Sequence, residues 1–305
     1  MAKKSSAVAE LKLPDYKDQK PAIKERFKAI YKRPVLLKIE GLEKTFKRHK
    51  ANNTVLSNIS LDVHRRELVS VIGPSGCGKS TLLRIVAGLE TPSAGSLSLA
   101  GTHIEGPGPD RGMVFQHYSL FPWQTVLQNV MFPLTLSGMD SSAAEVEAKT
   151  WVKLVGLDQF AGYFPSQLSG GMKQRVAIAR ALAAKPRVLL MDEPFGALDA
   201  RTRCKMQNYL MDIWRNIDIT VLFVTHDLDE AIYLADRIVV LQPHPKGIAE
   251  IIEVPLPQPR VPEHMFSPEF VAVKRRLEEL IQHEDADVAD HFSMLKLTQV
   301  GDEVL

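Results

Sequence analysis

The stretch Gly73-Pro74-Ser75-Gly76-Cys77-Gly78-Lys79-Ser80-Thr81 decides the fold. It fits G-x-x-x-x-G-K-[ST] and lies between an apolar β-type run, Leu68 to Ile72, and a helical stretch expected from Lys79 to near Gly88. Glycines let successive backbone N–H groups wrap an anion, and a helix N-terminus adds positive potential. Lys79 can then reach the β and γ phosphates of a nucleotide, and Ser80 can ligate Mg²⁺. Cys77 reads as a small loop residue, since the sequence offers it no redox partner.

Outward from this loop, Val188-Leu-Leu-Met-Asp192-Glu193-Pro194 is an apolar β-type run that ends in two carboxylates. Asp192 at the strand end can hold Mg²⁺ directly or through a water, and Glu193 can orient or deprotonate an attacking water. Standing alone, an Asp-Glu after a strand reads as a turn or a helix cap. Beside a phosphate loop it supplies the metal and nucleophile placement that phosphoryl transfer needs. Leu168-Ser169-Gly170-Gly171-Met172 opens the helix that leads into that strand. Serine followed by two glycines at a helix start is a second anion-binding nest, and a plain helix cap would look the same. Two phosphate-binding elements in one chain invite a dimer.

The rest of the chain supplies an α/β frame. Short β-type runs (Val35 to Ile39, Val55 to Val63, Leu68 to Ile72) precede the phosphate loop and suggest a first sheet. Residues from about Phe121 to Phe164 have helical periodicity, with Val146, Thr150, Val152, Leu154 and Val155 near one another, and read as a helical insertion. The helix from Gly171 to Lys185 repeats Met172, Val176, Ala179 and Leu182 on one face and carries Lys173, Arg175 and Arg180 on the other. Val188 to Met191, Thr220 to Val224 and Arg237 to Leu241 then alternate with helices, the pattern of a parallel sheet covered on both faces. Past Glu253, prolines 255, 257, 259 and 262 read as a semi-rigid extended linker, and Phe270, Val273, Leu277, Leu280 and Ile281 mark a final amphipathic helix.

Composition bounds the class. The 305 residues are 45% hydrophobic and 24% charged, as in a globular chain of one large or two modest domains, which excludes disorder throughout and fibrous repeats. The longest apolar runs fall far short of the roughly 18 residues that span a bilayer. Two cysteines, Cys77 and Cys204, build no disulfide framework, so a reducing compartment, the cytoplasm, is expected. Residues 1–34 hold ten Lys/Arg against four Asp/Glu in a chain of net charge +2, so the basic excess belongs to the N-terminal tail. Charge alone would let that tail hold an anionic membrane surface or nucleic acid. A solvated, flexible extension of no assigned function is the expectation, and no apolar stretch of signal-peptide length follows Lys3 and Lys4.

With these three motifs in hand, the chain over residues 35–253 resembles the ATP-binding cassette (ABC) family of transport ATPases. The resemblance implies a P-loop NTPase fold: a mainly parallel sheet flanked by helices, an N-terminal antiparallel β subdomain, and an α-helical subdomain at about residues 117–165. It implies ATP and Mg²⁺ as cofactors and a nucleotide site of Gly73 to Thr81 closed by Ser169, Gly170 and Gly171 of a second cassette. Gln116, after the strand-like Met113-Val-Phe, matches the family's Q-loop glutamine, which touches metal or water and relays nucleotide state to the membrane partner. His226, after Thr220 to Val224, matches the switch histidine at the γ phosphate. Ala197-Leu198-Asp199 resembles the D-loop at the dimer interface, and Phe46 is the candidate for stacking on adenine, Tyr31 lying outside the expected region. Catalysis is thus expected from Lys79, Gln116, Glu193 and His226, and metal binding from Ser80, Gln116 and Asp192. Asp227 and Glu230 form an N-cap and capping-box pattern, so Asp227 is expected to be structural. No motif of an active cassette is missing.

Three jobs fit such a motor: a peripheral ATPase subunit of a membrane importer, a soluble cassette ATPase that remodels a protein scaffold as in iron–sulfur assembly, and a cassette acting on nucleic acid or ribosomes. The last is similar to paired cassettes or long coiled coils, and neither occurs here, so no nucleic-acid partner is expected. His117-Tyr-Ser-Leu-Phe-Pro-Trp123 resembles the importer pattern, and a cassette without fused membrane helices favours import. Gly106-Pro-Gly-Pro-Asp-Arg-Gly-Met-Val-Phe-Gln116, Leu120-Phe-Pro-Trp123, Thr125-Val126 and the ending Val254-Pro-Leu-Pro-Gln-Pro-Arg260 with Ser267-Pro-Glu-Phe270 look most like the nitrate, sulfonate and taurine importer group. That likeness implies a cassette homodimer, transmembrane permease subunits, a periplasmic or lipid-anchored solute-binding protein, and a place on the cytoplasmic face of the cell membrane. Specificity in such systems lies in the binding protein and permease, so thiamine precursors and other small solutes stay open.

Overall fold

In the computed structural model of the chain, the described residues are 13–48, 51–243 and 246–282. The first twelve residues of the basic tail and the polar end expected after the last helix lie outside them. In chain order the elements are α1 (Pro21–Tyr31), β1 (Val35–Arg48), β2 (Ala51–His64), β3 (Leu68–Ile72), α2 (Lys79–Val86), β4 (Ala94–Leu99), β5 (Thr102–His103) and β6 (Arg111–Val114). There follow α3 (Val126–Leu136), α4 (Ser141–Leu154), α5 (Gly170–Ala183), β7 (Val188–Asp192), α6 (Ala200–Asn216), β8 (Thr220–Val224), α7 (Leu228–Leu234), β9 (Arg237–Pro243), β10 (Lys246–Glu253) and α8 (Pro268–Gln282). No helix among the described residues is long and apolar enough to cross a membrane.

Two sheets form. β2-β1-β4-β5 is antiparallel, and β10-β9-β3-β8-β7-β6 is parallel except for the edge strand β10. This is the expected α/β architecture. β3, β7 and β8 are buried at all five positions because both faces of their sheet are covered, which is why they read as unbroken apolar runs. Alternate side chains divide between two cores. Leu68, Ile72, Leu189, Met191 and Phe223 face α6, α7 and α8, whereas Val69, Val71, Val188, Leu190 and Val224 face α2 and the antiparallel sheet.

A third core joins α3, α4 and α5 into the helical insertion. The face of α4 that it buries is Ala144, Ala148 and Val152; of the residues grouped from the sequence, Val152 and Val155 are buried, whereas Val146 and Leu154 are 68% and 51% exposed. Residues spaced by four share a helix face, and alanines let two helices approach closely.

The N-terminal segment differs from the flexible extension expected. Within residues 13–34, α1 buries Ile23, Phe27 and Ile30, one apolar stripe spaced by four and three residues. Arg26 donates to the carbonyls of Leu256 (2.8 Å) and Val254 (3.1 Å), and Tyr16 donates to Glu250 (2.6 Å). Those carbonyls belong to the proline-rich stretch, which is not the spacer expected. Val254 and Leu256 are buried, and Arg260 is fully enclosed by the carbonyls of Tyr233, Ala235, Leu256 and Pro257. Prolines cannot add a further ladder strand, so the chain leaves β10 and lies across the domain as a strap. α8 then packs Phe270, Val273 and Leu277 into the main core of its own chain.

Candidate functional site

β3, β6, β7 and β8 run in one direction, so the loops that follow them leave from one edge, the ligand-binding edge of an open parallel sheet. Register makes this specific. Val71 and Asp192 both pair with Val224, and Val114 pairs with Met191. Gly73, Gln116, Glu193 and His226 each lie one or two residues past those positions, so segments far apart in sequence arrive at the same level.

The phosphate loop is built around two glycines no other residue could replace. Gly73 has φ +150°, and a Cβ there would stand 2.3 Å from the Leu241 carbonyl oxygen and 2.8 Å from Cys77 Sγ. Gly78, at φ +102°, would set one 2.6 Å from Leu56 Cδ2. Gly78 is also the N-cap of α2 and offers no capping side chain, so the first amides of α2, at Lys79, Ser80 and Thr81, have no intrahelical acceptor. Lys79 Nζ donates to the carbonyls of Gly73 (2.7 Å) and Pro74 (2.8 Å), inside the cradle whose anion it would neutralise. Ser75 and Gly76 form the outer lip, and Cys77 is buried with Sγ 4.0 Å from Lys79 Nζ. Uncapped amides, positive-φ glycines and one buried ammonium fit a polyphosphate.

Ser80 Oγ donates to Asp192 Oδ1 at 3.0 Å, which puts the two expected metal ligands in contact. Burial pushes the Asp192 carboxyl above its ordinary value, opposed by the Ser80 hydrogen bond. A cation there would restore the charged form. Among the described residues no group of three or more His, Cys, Asp or Glu side chains is set to hold a metal by itself. A hydroxyl and one carboxylate fit Mg²⁺, which takes few protein ligands and completes its shell with phosphates and water.

Glu193 is the meeting point. Its Oε2 accepts from Gln116 Nε2 at 3.0 Å and lies 3.2 Å from His226 Nδ1. Three of the four expected catalytic residues therefore converge on one carboxylate. Its backbone sits at φ +46°, a left-handed conformation a non-glycine residue rarely adopts, held by Glu193 N–H donating to the Val224 carbonyl at 2.9 Å. Gly196 leaves the space beside it, since a Cβ there would stand 3.7 Å from Glu193 Oε2 and 3.9 Å from His226 Cε1.

The Ser169 element lies elsewhere. Ser169 caps α5 by accepting from Met172 N–H (3.4 Å), and it borders a cavity of about 330 Å³ with Gly171, Met172, Thr202, Lys205 and Tyr209. Gly171 is needed there because a Cβ would meet Thr202 Cγ2 at 2.7 Å, and Gly170 faces Leu198 and Tyr118. No hydrogen bond or ion pair among the described residues ties Ser169, Gly170 or Gly171 to the phosphate loop. Asp199 is exposed and caps α6 by accepting from Thr202 N–H (3.0 Å). The Thr202 hydroxyl, and after it that bond, holds its carboxyl below the ordinary range. Phe46 pairs with Asn53 across the β1–β2 hairpin, which covers Gly78 through Val55 and Leu56. The ring is 37% exposed and lies 4.8 Å under Lys44 Nζ.

Several supporting residues were not legible as functional. Arg180, read as one of a polar face, donates to the carbonyls of Ser119 (2.8 Å) and Tyr118 (3.0 Å), two positive-φ residues just past Gln116. Gln174 donates to the Pro194 carbonyl at 2.6 Å, beside Glu193. Glu230 does not complete a capping box. Asp227 caps α7 as expected, by accepting from Glu230 N–H (3.0 Å), but the Glu230 side chain accepts from the Thr225 hydroxyl (2.9 Å), whose oxygen accepts from Asp227 N–H (3.1 Å). Burial pushes Glu230 up to about 8.

Comparison with known proteins places this geometry. The "ABC transporter" family model matches residues 56–196. An uncharacterized ABC transporter ATP-binding protein of Methanocaldococcus jannaschii is 49% identical over 82% of this chain and 92% of its own length. The nitrate import ATP-binding protein of a Synechocystis species is 49% identical over 72% of this chain and 83% of its own. The aliphatic sulfonates import ATP-binding protein of Bacillus cereus is 47% identical over 73% and 87%. Among solved structures, a dimeric ATP-binding cassette in a post-hydrolysis state with ADP and Pi is similar at 34% identity and a TM-score of 0.64, covering 72% of this chain and 99% of that one.

Proposed function

We propose, from the premise that this chain belongs to the ABC transporter family of ATP-binding subunits, that it is the peripheral ATPase of an importer for a small oxoanionic or sulfonated solute of the nitrate, sulfonate and taurine type. The observation that carries the catalytic part is the convergence of Gln116 and His226 on the Glu193 carboxylate, next to the Ser80–Asp192 contact.

In this reading Lys79 and the α2 amides bind the β and γ phosphates of ATP, and Phe46 covers the adenine. Mg²⁺, held by Ser80 and Asp192 with Gln116 nearby, neutralises phosphate charge when bound. Glu193 accepts the proton of the attacking water, Gln116 and His226 fix the direction of its carboxylate, and His226 remains placed to sense the γ phosphate. Each chain supplies half of two sites. The phosphate loop of one copy would face Ser169 to Gly171 and Asp199 of a second, so that ATP closes a head-to-tail dimer and hydrolysis reopens it. The dimeric state of the related solved cassette supports this. Closure would drive transmembrane permease subunits at the cytoplasmic face of the cell membrane, with a periplasmic or lipid-anchored binding protein upstream. The scaffold-assembly alternative has no relative among those described.

The nitrate and sulfonate import relatives, at 49% and 47% identity, support the solute class. Capture of the Glu193→Gln chain from native membranes with ATP and Mg²⁺ tests it. Recovery of a polytopic permease and a binding protein that takes nitrate, a sulfonate or taurine is expected; recovery of soluble assembly factors alone would overturn it.

A further inference from the structure

His226 has little packing to hold it. Its side chain is 66% exposed, so the direction of its ring is set by the loop that carries it, residues 225–227 between β8 and α7. One end of that loop is tied to the sheet, where Thr225 N–H donates to the Val71 carbonyl at 3.2 Å. The other end is Asp227, whose Oδ1 accepts from Glu230 N–H at 3.0 Å and whose Oδ2 accepts from Arg203 Nη1 at 3.3 Å. Arg203 belongs to α6, and its Nη2 donates to the Leu198 carbonyl at 3.1 Å.

These contacts close a ring. From Glu193 the chain makes two successive turns, with Gly196 N–H donating to the Glu193 carbonyl (3.3 Å) and Leu198 N–H donating to the Phe195 carbonyl (3.1 Å). Arg203 carries the path from Leu198 to Asp227, and His226 Nδ1 returns it to Glu193 Oε2 at 3.2 Å. The ring also touches the start of α5. A Cβ on Gly170 would stand 3.2 Å from Leu198 Cδ2, and one on Gly171 would stand 2.7 Å from Thr202 Cγ2. The stability of α6 does not account for Arg203: a cation near a helix N-terminus opposes the helix dipole, and α6 has no acidic residue in its first turn. Arg203 and Asp227 are both partly buried, so water and salt screen their attraction less than that of a fully exposed pair. A planar guanidinium can meet a carboxylate and a carbonyl at once, which a lysine ammonium does with less precision.

We infer, on the catalytic reading of Glu193 and His226, that Arg203 is a positioning residue that holds the His226 loop to the turn following Glu193 and so keeps the imidazole at the carboxylate. A displacement of residues 197–199, the side proposed to meet a second copy, reaches His226 through this guanidinium.

Turnover at saturating ATP and the histidine ring NMR signals of the full-length chain test this together. Arg203→Met, which keeps an aliphatic stem, is expected to lower turnover about tenfold, the scale of one charge-assisted hydrogen bond, while the ATP concentration for half-maximal turnover stays parental. Arg203→Lys should recover part of the loss, since an ammonium can still reach Asp227. Asp227→Asn keeps a capping side chain on α7 and removes the charge. Its turnover should fall as well, and the double variant should be no slower than the slower single one, because both changes break the same link. With ADP bound, the His226 ring signal, identified by its loss in His226→Gln, is expected to shift in Arg203→Met. The His64 and His103 signals, from the antiparallel sheet, should stay still and show that the fold is kept. Losses that add in the double variant, or a His226 signal at its parental position in Arg203→Met, would overturn the role of Arg203. Glu193→Gln separates the two levels. If it loses turnover and Arg203→Met does not, the role of Arg203 fails alone; if it keeps parental turnover, the catalytic reading fails and the role of Arg203 with it.

Discussion

The two candidate anion-binding elements of this chain are built alike and furnished differently. Both place glycines at a helix N-terminus, Gly78 before α2 and Gly170–Gly171 in α5. Around the first stand Lys79, which donates to the Gly73 carbonyl (2.7 Å), Asp192, which accepts from Ser80 (3.0 Å), and Glu193, which Gln116 (3.0 Å) and His226 (3.2 Å) approach. The cavity at the second is lined by Thr202, Lys205 and Tyr209 among others, with no carboxylate in its lining. A helix N-terminus is enough to receive phosphate, whereas hydrolysis needs a placed water and a proton acceptor. In the proposed reading the first element is therefore equipped for chemistry and the second only for recognition. Their separation within one chain makes sense if each completes the other's counterpart in a second copy.

The largest effect that could break this contrast comes from Glu193→Gln. Turnover should fall by about 10² to 10⁴, the scale of a general base, with ATP binding retained. Stopped-flow or steady-state phosphate release measures it, and parental turnover would return the catalytic role to another group. At the other element, Ser169→Arg fills the recognition surface without touching the phosphate loop. A monomer should still bind ATP with parental affinity, while ATP-induced dimers vanish in sedimentation velocity; loss of monomer binding instead would mean that the two elements share one site within a chain.

A smaller effect sharpens the contrast through pH. Glu230 lies behind the His226 loop, and burial holds its carboxyl at about 8 against an ordinary 4.5. Between those values the native state binds more protons than the unfolded one, so stability falls as pH rises through that window. Glu230→Gln, a neutral isostere, should flatten that decline in chemical denaturation curves, where a tenfold difference in proton affinity between the native and unfolded states corresponds to about 1.4 kcal/mol. An unchanged slope would show that another group titrates. The smallest change is expected at Phe46. Phe46→Ala should raise the ATP concentration needed for half-maximal binding several-fold, about 1 kcal/mol for one lost ring contact, and Phe46→Tyr should preserve it. Parental affinity in Phe46→Ala would remove the ring from the nucleotide site.

The proposed catalytic element was legible because its signals are local. A glycine loop, an apolar strand and an acid pair each occupy fewer than ten consecutive residues, and a parallel sheet leaves such loops no other edge. The parts that were not legible depend on distant partners. The stripe Ile23, Phe27, Ile30 has helical spacing, but its docking is fixed by carbonyls of residues 254 and 256, more than two hundred positions away. The buried face of α4 was legible only in part, through Val152 and Val155, because alanine gives little hydrophobic signal, although Ala144 and Ala148 are what allow α3 and α5 to come close. Glu230 matched a capping box by spacing and instead took the Thr225 hydroxyl, since Asp227 N–H was already bonded there.

The shared site is tested most directly by sedimentation velocity of Glu193→Gln with ATP, alone and combined with Ser169→Arg. A dimer for Glu193→Gln that disappears in the double variant, with nucleotide still bound to the monomer, is the expected result. A Glu193→Gln chain that stays monomeric at saturating ATP, or a double variant that dimerises as readily as the single one, would contradict a site completed by a second copy.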